Sequence, residues 1–136
     1  GNKFCIITNQ SGITRGLIKE ENLNLIHDFI YEIFKQHEIK LLKIYTCFDH
    51  PDNATDRRKP GIGMFLEAKR DYGFDLKKCL MVGDSYADMK AGLLLDMDTM
   101  LVLTGHGQKT LDILEKNETP TYVVKDLNDG VEKLCL

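Results

Sequence analysis

The sequence predicts an α/β fold: a mostly parallel sheet in a three-layer α/β/α arrangement, with crossover helices on both faces. Three observations predict it. Short apolar, β-branched runs alternate along the chain with longer segments of helical period. The strand-like runs end in polar turns, TNQSG after the first, CFDH after the second and TGHG after the fourth. The stretch LMVGDSYADMKAG, residues 80–92, reads in one pass as a buried strand, a tight turn at Gly83 and a helix opening on acidic residues.

Taken in order, residues 3–8 form the first strand and run into the TNQSG loop. Residues 19–37 are a helix, with Leu23, Ile26, Ile30 and Ile33 on one apolar stripe and Phe29 and Phe34 beside it. Residues 42–47 are a second strand, and 49–59 a polar loop that holds Pro51 and closes at Pro60. Residues 61–72 are a helix with Met64, Phe65 and Ala68 inward. Residues 79–82 are the third strand and 85–95 its helix. A fourth strand at 100–103, a short helix at 108–116, a last short strand at 122–124 and a closing helix at 127–134 complete the pattern. No repeat, low-complexity tract or linker interrupts it, so residues 1–136 read as a single domain.

Composition narrows the class. With 43% hydrophobic and 29% charged residues the chain is globular rather than disordered. A net charge of −3 gives no support for nucleic-acid binding. No apolar run is long enough for a bilayer, and the chain enters its first strand without a signal peptide, so no membrane association is expected. Cys5, Cys47, Cys79 and Cys135 are widely spaced in apolar segments and read as reduced, mostly buried thiols of a cytoplasmic protein. Met64, Met81, Met89, Met97 and Met100 read as core.

Parallel strands bring their carboxyl ends to one edge, where open α/β sheets bind ligands. That edge collects Thr8, Asn9, Gln10 and Ser11, then residues 47–50, then Gly83, Asp84 and Ser85, then Thr104 and Gly105. Asp84 follows the third strand and Asp88 lies one helical turn further, a pair of carboxylates that suits Mg²⁺ and equally suits helix capping. Thr8 and Ser11 suit phosphoryl contact or a turn. The run Arg57, Arg58, Lys59 reads as a solvated charge cluster, except that Pro60 restricts Lys59 and also favours a helix start. Cys47 and His50 are two ligands where a zinc site needs four. His106 reads as a loop residue, with substrate contact as the alternative, and His27 and His37 as surface or boundary positions. Hydroxyls, loop amides, a fixed cation and an acidic metal site are what phosphoryl chemistry requires.

Three motifs give this set a family likeness: TNQSGITRG at 8–16, RRKPGIGM at 57–64 and GDSYADMKAG at 83–92, with an echo in LVLTGHG at 101–107. In that order they resemble the haloacid dehalogenase (HAD) superfamily, within it the histidinol-phosphate and D,D-heptose 1,7-bisphosphate phosphatase branch, whose fold is Rossmann-like. The resemblance implies a Mg²⁺-dependent phosphomonoester hydrolase working through an aspartyl-phosphate. It implies that Thr8 and Asn9 contact phosphoryl oxygens, that Lys59 stabilises their charge, and that Arg58 recognises substrate, with Gln10, Ser11 and Ser85 beside it. It makes Asp84 a Mg²⁺ ligand and has Asp88 hold the motif together. The substrate class is a small phosphorylated metabolite. A sugar phosphate such as D-glycero-D-manno-heptose 1,7-bisphosphate comes first, and histidinol phosphate is the alternative. A monomer is expected for the full-length protein.

Two departures accompany the likeness. The family's Asp-x-Asp nucleophile motif, on a strand before Thr8, is absent; Asp96 and Asp98 have the spacing but precede a strand rather than end one. The expectation is a HAD-like domain lacking its nucleophile segment, inactive as 136 residues alone, with a non-catalytic phosphate-binding module as the reading from another class. The zinc-loop positions of many relatives hold Cys47, Asp49, Thr55 and Arg57 here, so no zinc is expected, and the spacing leaves no room for a large cap domain.

Overall fold

The computed structural model describes residues 1–134, and Cys135 lies outside the described residues. It is an α/β structure in which every strand pairing is parallel. Two compact units divide the chain, Gly1–Asp71 and the residues from Tyr72 onward.

The first unit holds β1 (Lys3–Asn9), α1 (Glu20–Gln36), β2 (Lys40–Cys47) and α2 (Gly63–Tyr72), whose last residue opens the second unit. β1 and β2 pair from Lys3↔Lys40 to Asn9↔Cys47, with a register shift between Phe4 and Cys5. Helix α1 is the crossover and packs against β2. Lys19 and His37 are its two caps, and Glu20 and Glu21 occupy the first turn, where the helix dipole favours acid. The Ile44 N–H donates to the Tyr31 hydroxyl at 2.9 Å, tying helix to strand. The covered stripe of α1 is Leu23, His27, Ile30 and Phe34, with Phe34 edge-on to Phe4 at 6.4 Å. Ile26, Phe29 and Ile33, expected inward or beside the stripe, are exposed. The helix carries two adjacent apolar rows, and the spacing 23–30 and 27–34 turns the other row towards β2.

The second unit holds β3 (Leu80–Gly83), α3 (Tyr86–Leu94), β4 (Asp98–Val102), α4 (Gly107–Ile113), β5 (Tyr122–Val124) and α5 (Leu127–Lys133), with strand order β3-β4-β5. Helix α3 packs against β3 and β4, and α5 against β4 and β5. Met81, Met89, Met97, Met100, Leu101 and Val124 are buried there, each contributing about 1.5–3 kcal/mol by removal from water. All five methionines of the chain are core residues, as their sequence context predicts. Gly92 lets α3 approach β4: a Cβ there would stand 2.6 Å from Thr99 Cγ2. Thr99 and Thr121 exchange backbone-to-hydroxyl hydrogen bonds at 3.0 and 3.2 Å. Buried Glu118 accepts from the Tyr86 hydroxyl at 2.9 Å and the Lys90 ammonium at 2.7 Å, so its charge is paired.

Three differences from the sequence reading have local causes. Helix α2 begins at Gly63 rather than 61, because residues 58–61 form a turn in which the Gly61 N–H donates to the Arg58 carbonyl at 2.7 Å. Pro60 therefore does not open the helix. β2 starts two residues earlier, at Lys40, and β4 at Asp98, because parallel pairing recruits polar residues that no alternation marks. Short 3-10 turns at Pro51–Asn53, Leu76–Lys78 and Lys116–Glu118 fall in stretches without periodicity. The inward set of α2, Met64, Phe65 and Ala68, is as expected.

Gly107 gives a test of the packing at the start of α4. A Cβ there would lie 1.9 Å from the Val102 carbonyl oxygen, a backbone atom that cannot swing aside. Gly107→Ala is expected to cost about 1–3 kcal/mol of stability by denaturant unfolding. An unchanged midpoint would contradict this arrangement of α4 and β4.

Candidate active site

In the first unit the site is built at the carboxyl ends of β1 and β2. The Gln10 N–H donates to the Cys47 carbonyl at 2.7 Å, which carries the pairing one residue past the strands. Thr8 keeps its side chain at this end, where its hydroxyl accepts from Gln10 Nε2 at 3.0 Å. Accepting there leaves the Thr8 O–H able to donate to an oxyanion. Ser11 opens the following turn, its carbonyl accepting from the Arg15 N–H at 3.0 Å.

Lys59 is anchored through both its main chain and its side chain. Its N–H donates to Asn9 Oδ1 at 3.0 Å, and its carbonyl accepts from Asn9 Nδ2 at 3.0 Å. Its ammonium donates to the Ile7 carbonyl at 2.6 Å, and only 9% of the residue is exposed. The loop reaches this position through a turn that only glycine permits: a Cβ on Gly61 would lie 2.2 Å from the Asp56 carbonyl oxygen.

The neighbouring arginines do other work. Arg57 donates to both Glu67 oxygens, at 2.6 and 3.2 Å, and to the Thr46 carbonyl at 3.1 Å. This strut joins the end of β2 to α2, and the guanidinium holds the Glu67 carboxyl below its ordinary range. Arg58 donates through one nitrogen to the Asp49 carbonyl at 3.1 Å. The basic run is thus three separate fixtures, not a solvated cluster.

The zinc-loop positions bind one another. Asp49 Oδ2 accepts from the Thr55 N–H at 2.8 Å and the Thr55 hydroxyl at 2.5 Å. The Arg57 N–H donates to the Thr55 hydroxyl at 3.3 Å. Those Thr55 donors lower the Asp49 carboxyl, while burial pushes the Cys47 thiol up, with Asp49 beside it. A guanidinium offers no lone pair, and a threonine hydroxyl is a poor partner for zinc, so this set does not fit a tetrahedral zinc centre. His50 caps the Pro51–Asn53 turn by accepting the Asp52 N–H at 3.2 Å. Elemental analysis of purified protein is expected to give far less than one zinc per chain; a stoichiometric ion would overturn this reading.

In the second unit Asp84 follows β3 directly. Its Oδ2 accepts the His106 N–H at 2.8 Å, and its carbonyl accepts the Thr110 hydroxyl at 2.7 Å. Gly105 makes this approach possible, with φ of +59° and a Cβ position 2.3 Å from Asp84 Oδ2. Gly105, which the sequence placed at the strand-end edge, the His106 amide and buried Thr110, which the sequence reading did not single out, are thus positioning groups. The glycine-flanked TGHG turn signals the first two, and nothing local marks Thr110. Asp84 Oδ1 has no hydrogen-bond partner among the described residues.

Ser85 and Asp88 form a reciprocal capping box. The Asp88 N–H donates to Ser85 Oγ at 3.2 Å, and the Ser85 N–H donates to Asp88 Oδ2 at 3.1 Å. Asp88 is 6% exposed, and a Cβ on Gly83 would lie 2.4 Å from its Oδ2, so Gly83 makes room for it. The structure therefore gives Asp88 a role in shaping the turn that presents Asp84. Asp98 is the first residue of β4, and Asp96 pairs with Lys77 at 3.0 Å. Both stand at the strand's amino end, opposite to the end that carries Asp84.

The first unit thus carries a hydroxyl and a buried lysine at the carboxyl ends of its parallel strands, and the second an aspartate at the end of β3, all group types that phosphoryl chemistry uses. The family pattern described as HAD-hydrolase-like matches residues 56–130, and the chain belongs to that family. It is 40% identical over 98 residues to the D-glycero-alpha-D-manno-heptose-1,7-bisphosphate 7-phosphatase of Campylobacter jejuni, covering 72% of this chain and 56% of that protein. It is 39% identical over 106 residues to the corresponding beta-anomer 7-phosphatase of Bordetella bronchiseptica, covering 78% of this chain and 59% of that one. The chain thus spans little more than half the length of these relatives. The crystal structure of D,D-heptose 1,7-bisphosphate phosphatase from B. bronchiseptica, complexed with magnesium and phosphate, superposes with a TM-score of 0.86 at 36% identity, covering 98% of this chain and 74% of that one.

Proposed function

We propose that the full-length protein is a Mg²⁺-dependent phosphomonoester hydrolase acting on a small phosphorylated sugar, with D-glycero-D-manno-heptose 1,7-bisphosphate as first choice. The observation that carries this is Lys59, a buried residue fixed in main chain and side chain at the end of β1 by Asn9 and Ile7, the two residues that flank Thr8 on that strand. A lysine charge costs free energy to bury and is useful where negative charge builds up in a transition state. The names of the similar proteins and the magnesium and phosphate of the solved relative support the same reading.

In this reading the Thr8 hydroxyl and the Asn9 backbone amide bind phosphoryl oxygens. Lys59 offsets their charge, and Arg58 faces the rest of the substrate with Gln10, Ser11 and Ser85. Asp84 supplies the protein ligand for Mg²⁺. A carboxylate with one oxygen fixed by an amide and the other open fits a hard cation that takes few protein ligands and fills its shell with water and phosphate. A Mg²⁺ ion held by Asp84 would supply Lewis-acid charge stabilisation. The aspartyl nucleophile is proposed to come from outside these residues, since Asp96 and Asp98 stand at the wrong end of β4. The protein is proposed to act as a monomer in the cytoplasm.

The test is phosphate release by the full-length protein from heptose 1,7-bisphosphate and from histidinol phosphate, with Mg²⁺ and with chelator. Chelator-sensitive hydrolysis favouring the heptose is expected. No hydrolysis of any phosphomonoester would leave the phosphate-binding module without catalysis as the correct reading.

Two substitutions probe the assignment. Asp84→Asn is expected to abolish Mg²⁺-dependent turnover and to weaken Mg²⁺ binding measured by titration; activity within about threefold of wild type at saturating Mg²⁺ would contradict it. Lys59→Ala is expected to lower kcat by ~10²–10³-fold, and Arg57→Ala to act mainly on stability. Equal, small effects of both on kcat would remove Lys59 from the mechanism.

A further inference from the structure

We infer that Asn9 is a positioning residue for Lys59, acting through its side chain. This rests on the proposed role of Lys59 and adds to it. Both polar atoms of the Asn9 amide are spent on one residue fifty positions away: Oδ1 accepts the Lys59 N–H and Nδ2 donates to the Lys59 carbonyl, each at 3.0 Å. An amide that reads both main-chain groups of one residue fixes its position and its rotation about the chain, as a strand neighbour does. Asn9 is itself the last residue of β1, paired with Cys47, so the clamp is mounted on the sheet.

The consequence reaches the charge. The Lys59 ammonium donates to the Ile7 carbonyl at 2.6 Å, two residues before Asn9 on the same strand. Main chain and side-chain tip of Lys59 are both referenced to β1, which also carries Thr8. A long, flexible side chain otherwise has large rotamer entropy to lose when it binds an anion. Fixing its base removes part of that cost before substrate arrives, which is the condition for electrostatic stabilisation to act fully in the transition state. The residue type is specific: aspartate accepts but cannot donate to the Lys59 carbonyl, and alanine does neither.

The experiment uses the full-length protein with Asn9→Ala, Asn9→Asp, Lys59→Ala and the double variant Asn9→Ala/Lys59→Ala. Asn9→Ala is expected to lower kcat by about tenfold or more with little change in KM, and to add nothing in the Lys59→Ala background, because its effect passes through Lys59. A residue that merely supports the fold would lower the melting temperature and add its effect in both backgrounds. Amine labelling followed by mass spectrometry gives a readout independent of turnover. Lys59 is expected to react several-fold faster in Asn9→Ala and Asn9→Asp, with Lys77 and Lys90 unchanged. If wild type proves inactive, the functional reading fails while the labelling result still decides the positioning claim. Additive losses, or unchanged labelling of Lys59, would overturn it. If Asn9→Ala does not fold, the nearly isosteric Asn9→Asp decides; failure of both to fold would count against a specific positioning role.

Discussion

The pair of hydrogen bonds between the Asn9 amide and the main chain of Lys59 is the constraint on which the first unit depends. The loop between β2 and α2 has only a short 3-10 turn of its own, and left alone it would hold a lysine loosely. The clamp converts that loop into an extension of β1. The surrounding contacts follow from it: Arg57 braces the loop against Glu67 and the end of β2, Arg58 and Thr55 meet at Asp49, and glycines at 61 and 63 let the chain turn tightly over the Asp56 carbonyl. Hydrogen bonds among side chains and backbone thus organise this loop.

The second unit meets the same requirement with different means. One aspartate must stand at the end of β3 with a defined carboxylate orientation. Two glycines make space, Gly83 for the capping carboxylate of Asp88 and Gly105 for Asp84 itself. The His106 amide and the Thr110 hydroxyl then fix Asp84 through its side chain and its carbonyl. Asp88 caps the turn through its Oδ2 and its N–H, and the Oδ1 of Asp84 is the carboxylate oxygen that the proposed function gives to a cation. Mg²⁺ is usually held by one or two carboxylates together with substrate phosphate, and the proposed site follows that pattern.

Most of the architecture was legible because parallel α/β folds write their strands as apolar runs and their turns as glycine and polar clusters. The helices expected over 19–37 and 85–95 run over Glu20–Gln36 and Tyr86–Leu94, and Met64, Phe65 and Ala68 are buried as periodicity predicts. What was not legible depends on contacts distant in sequence. Two apolar rows on α1 look alike until β2 selects Leu23, Ile30 and Phe34 over Ile26, Phe29 and Ile33. The triplet at 57–59 looks uniform, yet each residue finds a different partner. Asn9 and Thr110 are ordinary polar residues until their partners, fifty and twenty-six positions away, are known.

The central claim is that Lys59 is held in advance of substrate to meet charge that develops on a transferring phosphoryl group. Binding that favours the transition state over the ground state separates this from simple anion affinity. The most direct measurement compares inhibition of the full-length protein by orthovanadate, which mimics the five-coordinate transition state, and by inorganic phosphate, in wild type and in Lys59→Met. The account predicts that vanadate affinity falls by ~10²-fold while phosphate affinity falls far less. Equal losses for the two anions, or no loss for either, would contradict it.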